Sequence, residues 1–158
     1  MNMRTLIVPS DLSSLDLVAD LVLEEAREAG LDQRETYQLR LAVDEILTNI
    51  INYGYLANGL SGQIHVHAER YDESLVITLE DTSPPYDPCQ RDTARVAEDF
   101  DKPLEERQIG GLGIYFALQA VSEFRYEYRD GRNRNIFIMR RSRLTSSTTS
   151  DQQDVVHS

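Results

Sequence analysis

Glu45 and Asn49 stand four residues apart in an apolar, helix-forming run, Asp81 ends an alternating apolar segment, and Gly110, Gly111 and Gly113 open a third apolar stretch. At helical pitch Glu45 and Asn49 lie about 40° apart, on a face flanking the apolar stripe. A carboxylate and an amide oxygen presented to one small volume suit Mg²⁺, which is held mainly through water and substrate phosphates. A solvated polar helix face is the alternative.

Asp81 shares period-2 register with Leu75, Ile77 and Leu79, so its carboxylate is aimed at the core. Such a group costs several kcal/mol unless a donor meets it, and an adenine amino group is one such donor. The alternative is a strand-ending residue that caps the next turn. The three glycines offer bare backbone to phosphates at a helix start, where free N–H groups and the dipole favour anions. They lack the Gly-Lys-Ser/Thr ending of a Walker loop and follow a charged loop rather than a strand, which disfavours both common nucleotide fingerprints. Carboxylate, amide, second carboxylate and glycine cradle are together the parts that hold a Mg-nucleotide, and the chain reads as a small ATP-binding domain.

The elements that must position these residues follow from periodicity. Thr5 to Val8 reads as a short strand stopped by Pro9, with Ser10 or Asp11 available to cap a helix. Leu15, Val18, Ala19, Val22 and Ala26 recur at helical spacing up to Gly30, a C-terminal stop. Asp32 and Glu35 form a capping-box pattern before a second helix with the stripe Leu39, Val43, Ile46, Leu47 and Ile50. Ile64, Val66 and Ala68 alternate with His65, His67 and Glu69, and Leu75 to Asp81 follows as a second strand of a hairpin. With no third ligand in view, the two histidines read as an exposed strand face.

Pro84 to Ile109 has no sustained period and reads as a long functional or disordered loop. Helical spacing resumes from Gly110 through Ile114, Leu118 and Val121, and two strands flank the Asp130-Gly131 turn, with Phe124, Tyr126 and Tyr128 on one face of the first and Ile136 and Ile138 on one face of the second. Seven arginines between Arg125 and Arg143 read as a partner-binding face or as the outer side of an amphipathic strand pair. Residues 142–158 are Ser/Thr-rich and are expected to be disordered. The order β-α-α-β-β-loop-α-β-β predicts an α+β fold, with helices layered on a mixed, mostly antiparallel sheet.

Composition narrows the partners. A chain of 158 residues suits one domain, and 27 acidic against 16 basic residues give a net charge of −11. That balance argues against binding nucleic acid, which rewards a basic surface. Cys89 is the single cysteine, which excludes an intrachain disulfide and a Cys-based metal site and fits a reducing cytosol. No leader-like segment or membrane-length apolar run is present, so a soluble, cytoplasmic protein with no membrane partner is expected.

Three segments together resemble a known family. Leu41-Ala42-Val43-Asp44-Glu45 with Thr48-Asn49, followed by Tyr53-Gly54-Tyr55, resembles the N box of the GHKL (histidine-kinase-like) ATPase superfamily, in its branch of bacterial anti-sigma factor serine/threonine kinases. Asp81-Thr82-Ser83-Pro84-Pro85-Tyr86-Asp87-Pro88 resembles the G1 box, and Leu104 to Ile114 the G2 box. The likeness covers nearly all of residues 4–141. It implies a two-layer α/β sandwich of the GHKL ATP-binding type with helices on one face, a domain over residues 1–141, and a mobile lid from about Pro88 to Ile109.

By position, the resemblance implies Glu45 as the general base, Asn49 as the Mg²⁺ ligand and Asp81 as the adenine reader. Gly110, Gly111 and Gly113 would contact phosphates, and Asn135 falls near a last-strand polar residue that helps hold adenine. In the lid, Lys102 and Arg107 could neutralise γ-phosphate charge, or be solvated loop charges. Ser83 stands where the G1 box usually carries glycine, and Tyr53 where a histidine is common; Ser83 either constrains the backbone beside adenine or adds a hydroxyl there.

The expected activity is a protein serine/threonine kinase acting as a partner switch on ATP and Mg²⁺. It would bind a sigma factor or similar regulator and phosphorylate a small antagonist protein, and the resemblance implies a homodimer. The alternative is a non-catalytic nucleotide-binding module that sequesters a partner. A histidine-kinase catalytic domain would need its phosphoacceptor helix on another chain.

Overall fold

The computed structural model describes residues 2–88 and 109–142. The expected lid with Lys102 and Arg107, and the tail from residue 143, lie outside the described residues. Strand β1 (Asn2–Pro9) leads into helices α1 (Ser14–Glu28) and α2 (Gln33–Asn49), then strands β2 (Gln63–Arg70) and β3 (Ser74–Asp81). Helix α3 (Ile109–Ala120) precedes β4 (Glu123–Arg129) and β5 (Arg132–Arg140).

Local chemistry sets the helix ends. The Asp11 carboxylate accepts from the Ser13 backbone N–H and hydroxyl, so the first helix starts at Ser14 with Asp11 holding the turn before it. At its other end Leu31 N–H reaches Ala26 O and Gly30 N–H reaches Arg27 O, the 6→1 and 5→2 pair of a Schellman stop, with Gly30 at φ +78°. The capping box of α2 forms as its sequence predicts. Asp32 Oδ1 accepts from Glu35 N–H at 2.7 Å and Glu35 Oε1 from Asp32 N–H at 2.9 Å. Glu35 Oε2 also accepts from Ser142 N–H at 2.8 Å, tying the exit of β5 to the start of α2.

The five strands run in the order β1-β2-β3-β5-β4, and all four pairings are antiparallel, so the sheet is not mixed. Alternation sends Ile64, Val66 and Ala68, then Leu75, Ile77 and Leu79, then Phe137 and Met139, into the layer shared with the helices. There they meet Val18, Leu21, Val22, Leu39, Val43, Ile46 and Leu47. Each such side chain contributes about 1.5–3 kcal/mol by leaving water. Ile136 and Ile138 lie on the opposite, partly exposed side of β5.

That opposite side also carries the arginines. Arg125 and Arg140 pair with Glu123, Arg129 with Glu127, Arg134 with Glu80 and Glu127, and Arg132 with Glu80. His67 bridges Thr5 Oγ1 and Glu80 on the same face.

Past Asn49 the helix widens. Ile50–Tyr55 is a π-helix, closed by a single 3-10 turn at Leu56–Asn58 and by Gly59 in the left-handed region at φ +66°. Asn58 Nδ2 donates to the carbonyls of Tyr53 (3.0 Å) and Gly54 (3.1 Å), which the end of the helix would leave open. An α-helix would swing residue 54 about 140° away from Asn49. The i→i+5 pattern instead brings it back toward the same side, and π segments of this kind are concentrated at functional sites.

Candidate functional site

Asp81 occupies an inward position of β3, where the preceding residues of its row are Leu75, Ile77 and Leu79, and it is only 1% exposed. Its Oδ1 accepts from Ser83 N–H at 2.8 Å, from the Ser83 hydroxyl at 2.5 Å and from Asn133 Nδ2 at 3.2 Å. Among the described residues its Oδ2 is buried and meets no donor. Burial pushes the carboxyl above its ordinary pKa, against the pull of the Ser83 and Asn133 donors.

Asn133 is the opposite number of Asp81 in the β3–β5 register. Its Nδ2 also donates to Ser83 O at 2.9 Å and Pro84 O at 3.3 Å, while its Oδ1 accepts from Tyr86 N–H at 3.2 Å and from the Tyr126 hydroxyl. One amide therefore staples the whole Ser83–Tyr86 turn to β5. The sequence singles out Asn135 on this strand and not Asn133. Asn135 faces the same buried layer opposite Leu79 and Tyr126, and its Oδ1 has no partner among the described residues. The available signal was parity: Asn133 and Asn135 share the buried row of Phe137 and Met139, as Asp81 shares that of its leucines and isoleucine.

The π-helix closes this turn from the other side. Tyr55 is buried, and its hydroxyl accepts from Thr82 N–H at 3.1 Å. Gly54 lies against Ser83 so tightly that a Cβ there would sit 2.7 Å from Ser83 Oγ and 3.0 Å from its Cβ. Overpacking of that degree typically costs about 1–3 kcal/mol. Gly54→Ala is thus expected to destabilise by about 2 kcal/mol, and Ser83→Gly in the same chain to recover most of the loss. Urea unfolding of the four proteins of this cycle measures it, and simple additivity would contradict the contact.

Ahead of the π-helix, in the C-terminal half of α2, the Glu45 carboxylate lies against Gly113, where a Cβ would come within 2.8 Å of Oε1. Burial, then the neighbouring Asp44, push the Glu45 carboxyl upward. Asn49, one turn on, is 4% exposed, and its Nδ2 is buried with no partner among the described residues. Along this one helical rod Glu45 meets α3 at Gly113 and Gly54 meets the Asp81 turn at Ser83, with Asn49 between them in sequence. Gly110 and Gly111 lie within the first turn of α3, which already begins at Ile109, rather than in a loop before it.

These features fit a Mg-nucleotide. A buried acceptor on Asp81 awaits a donor, an unmatched amide on Asn49 stands one helical turn from the Glu45 carboxylate, and Gly113 brings backbone against that carboxylate without a side chain between. Lys102 and Arg107, the expected phosphate cations, are outside the described residues.

Residues 8–141 match the family described as the histidine kinase-like ATPase domain. Similar proteins include the serine-protein kinase RsbW of Listeria monocytogenes, 24% identical over 106 residues that cover 67% of either chain. RsbW of Staphylococcus aureus is 22% identical over 116 residues, 73% of either chain. The fold is similar to a crystal structure of the RsbU and RsbW domains of Rv1364c from Mycobacterium tuberculosis, with a TM-score of 0.59 at 17% identity, covering 89% of this chain and 32% of that one. By the match of residues 8–141, the chain belongs to the histidine kinase-like ATPase domain family.

Proposed function

We propose that the protein is an ATP-dependent serine/threonine kinase that works as a partner switch, phosphorylating a small antagonist protein and binding a sigma factor or similar regulator in the cytoplasm. The observation that carries the reading is the unmatched Asp81 Oδ2, a buried acceptor in the turn that packs on Gly54, on the same helical rod that sets Glu45 against Gly113. The family match and the similarity to proteins named serine-protein kinase support it.

Asp81 would accept the adenine amino proton, with Asn135 supplying a second polar contact. Asn49 would hold Mg²⁺, which when bound neutralises phosphate charge, and Gly110, Gly111 and Gly113 would let backbone approach the phosphates. Lys102 and Arg107 would add positive charge from the lid. Glu45 takes the proton of the acceptor hydroxyl as its oxygen bonds to the γ-phosphorus and the bond to the β-phosphate oxygen breaks, leaving ADP and a phosphoserine or phosphothreonine. Residues 1–141 form the working domain, in a homodimer.

The test is to capture partners on the purified chain from cells and add γ-labelled ATP with Mg²⁺. Label on serine or threonine of a captured protein is expected. Nucleotide binding with no label transferred to any captured protein would favour the non-catalytic sequestering module instead.

A further inference from the structure

The Ser83 hydroxyl fills the gap that Gly54 leaves and points at Asp81 rather than at solvent. Three donors crowd Oδ1, two from Ser83 and one from Asn133. The carboxylate is thereby held in one rotation, with a single buried acceptor, Oδ2, left over. Asn133 cannot turn its amide to compensate, because its Oδ1 is engaged by Tyr86 N–H and the Tyr126 hydroxyl.

We propose that Ser83 is a specificity-determining residue: by saturating Oδ1 together with Asn133, it keeps Asp81 a pure acceptor at the base edge and so selects 6-amino purines over 6-oxo purines. The inference rests on the nucleotide-binding reading above and assigns Ser83 a part in it. A 6-amino group donates to Oδ2. A 6-oxo group in the same place turns an acceptor toward Oδ2, and that contact forms only if the carboxyl carries a proton or rotates away; otherwise the base must shift to offer its N1–H instead.

Donors on Oδ1 oppose both escapes: they favour the ionised form, against the burial that disfavours it, and they pin the rotation. Without the hydroxyl, one of three donors is lost and the carboxyl is freer to protonate or turn. ATP then loses some affinity and a 6-oxo triphosphate loses less or gains. A hydroxyl that merely supported the turn would, when removed, weaken both nucleotides alike.

ITP is the probe, since its base differs from that of ATP only at this edge, where a 6-oxo group replaces the 6-amino group and N1 carries a proton. The dissociation constants of Mg-ATP and Mg-ITP are measured by calorimetry for the full chain, for Ser83→Ala and for Ser83→Thr, which keeps the hydroxyl. Wild type is expected to prefer ATP by about a hundredfold, and Ser83→Ala to narrow that ratio about tenfold, the scale of one hydrogen bond to a charged group. Ser83→Thr should hold the ratio nearer wild type. An unchanged ratio in Ser83→Ala, with ATP still bound by wild type, overturns the role of Ser83 and leaves the nucleotide site standing. Failure of wild type to bind either triphosphate overturns both.

Discussion

Glu45→Gln is expected to lower phosphoryl transfer by about a thousandfold, the middle of the range for a lost general base, while Mg-ATP affinity stays within about threefold of wild type. Glutamine keeps the shape of the side chain against Gly113 and cannot take a proton. Glu45 is only half-buried, so the exchange should leave the melting temperature nearly unchanged. The acid limb of the pH–rate profile supplies a second readout. Burial and Asp44 hold the Glu45 carboxyl above its ordinary pKa, so the wild-type rate should fall with acidification at a higher pH than a solvated carboxylate would give, and the residual Glu45→Gln rate should lack that limb. Single-turnover transfer of labelled phosphate to the captured partner measures both. Transfer at the wild-type rate by Glu45→Gln would remove this carboxylate from the chemistry.

Asp81→Asn is expected to weaken ATP by roughly a hundredfold, about 3 kcal/mol, while leaving the ligand-free fold at least as stable as wild type at neutral pH. The side chain would keep an oxygen for Ser83 and Asn133 but would offer an N–H₂ donor where Oδ2 now waits for one. Two donors would then face each other in a buried space. The stability half follows from linkage. The folded-state pKa of Asp81 is raised by burial, so its favourable contribution is fully present below the ordinary carboxylate pKa and is lost as pH rises through the folded value. At neutral pH the ionised group is a cost that asparagine removes. Calorimetric titration and melting curves across the acidic range separate the two effects. A variant that melts well below wild type at neutral pH and binds ATP as tightly would contradict both.

Much of the fold was legible because its signals are local. Asp32 with Glu35, and Gly30 after Ala26, specify helix ends within one turn of chain, and strict alternation from Leu75 to Asp81 announces a carboxylate among core residues. The partner of that carboxylate was not legible. Asn133 lies 52 positions away, and nothing in a single sequence says that β5 inserts between β3 and β4. Arg125, Arg129, Arg132, Arg134 and Arg140 were readable as the outer face of a strand pair, yet which acids they meet depends on the same cross-strand register. Gly110 and Gly111 were legible as a helix start from the apolar spacing that follows them, and the first turn of α3 forms around them although glycine is a poor helix former, by about 1 kcal/mol relative to alanine. Helix propensity also cannot distinguish α from π winding, so the spacing that carries Gly54 round to Ser83 was hidden.

The widened turn at Ile50–Tyr55 has one more consequence, for how the protein breathes. An extra residue in a helical turn is ordinarily shed by reverting to tighter winding, and here that relaxation is opposed where Tyr55 and Gly54 lodge against Thr82 and Ser83. Deuterium should therefore enter these amides ahead of those earlier in the same rod, and a seated purine, by freezing the neighbouring bend, should slow that uptake before any change elsewhere in the chain becomes visible.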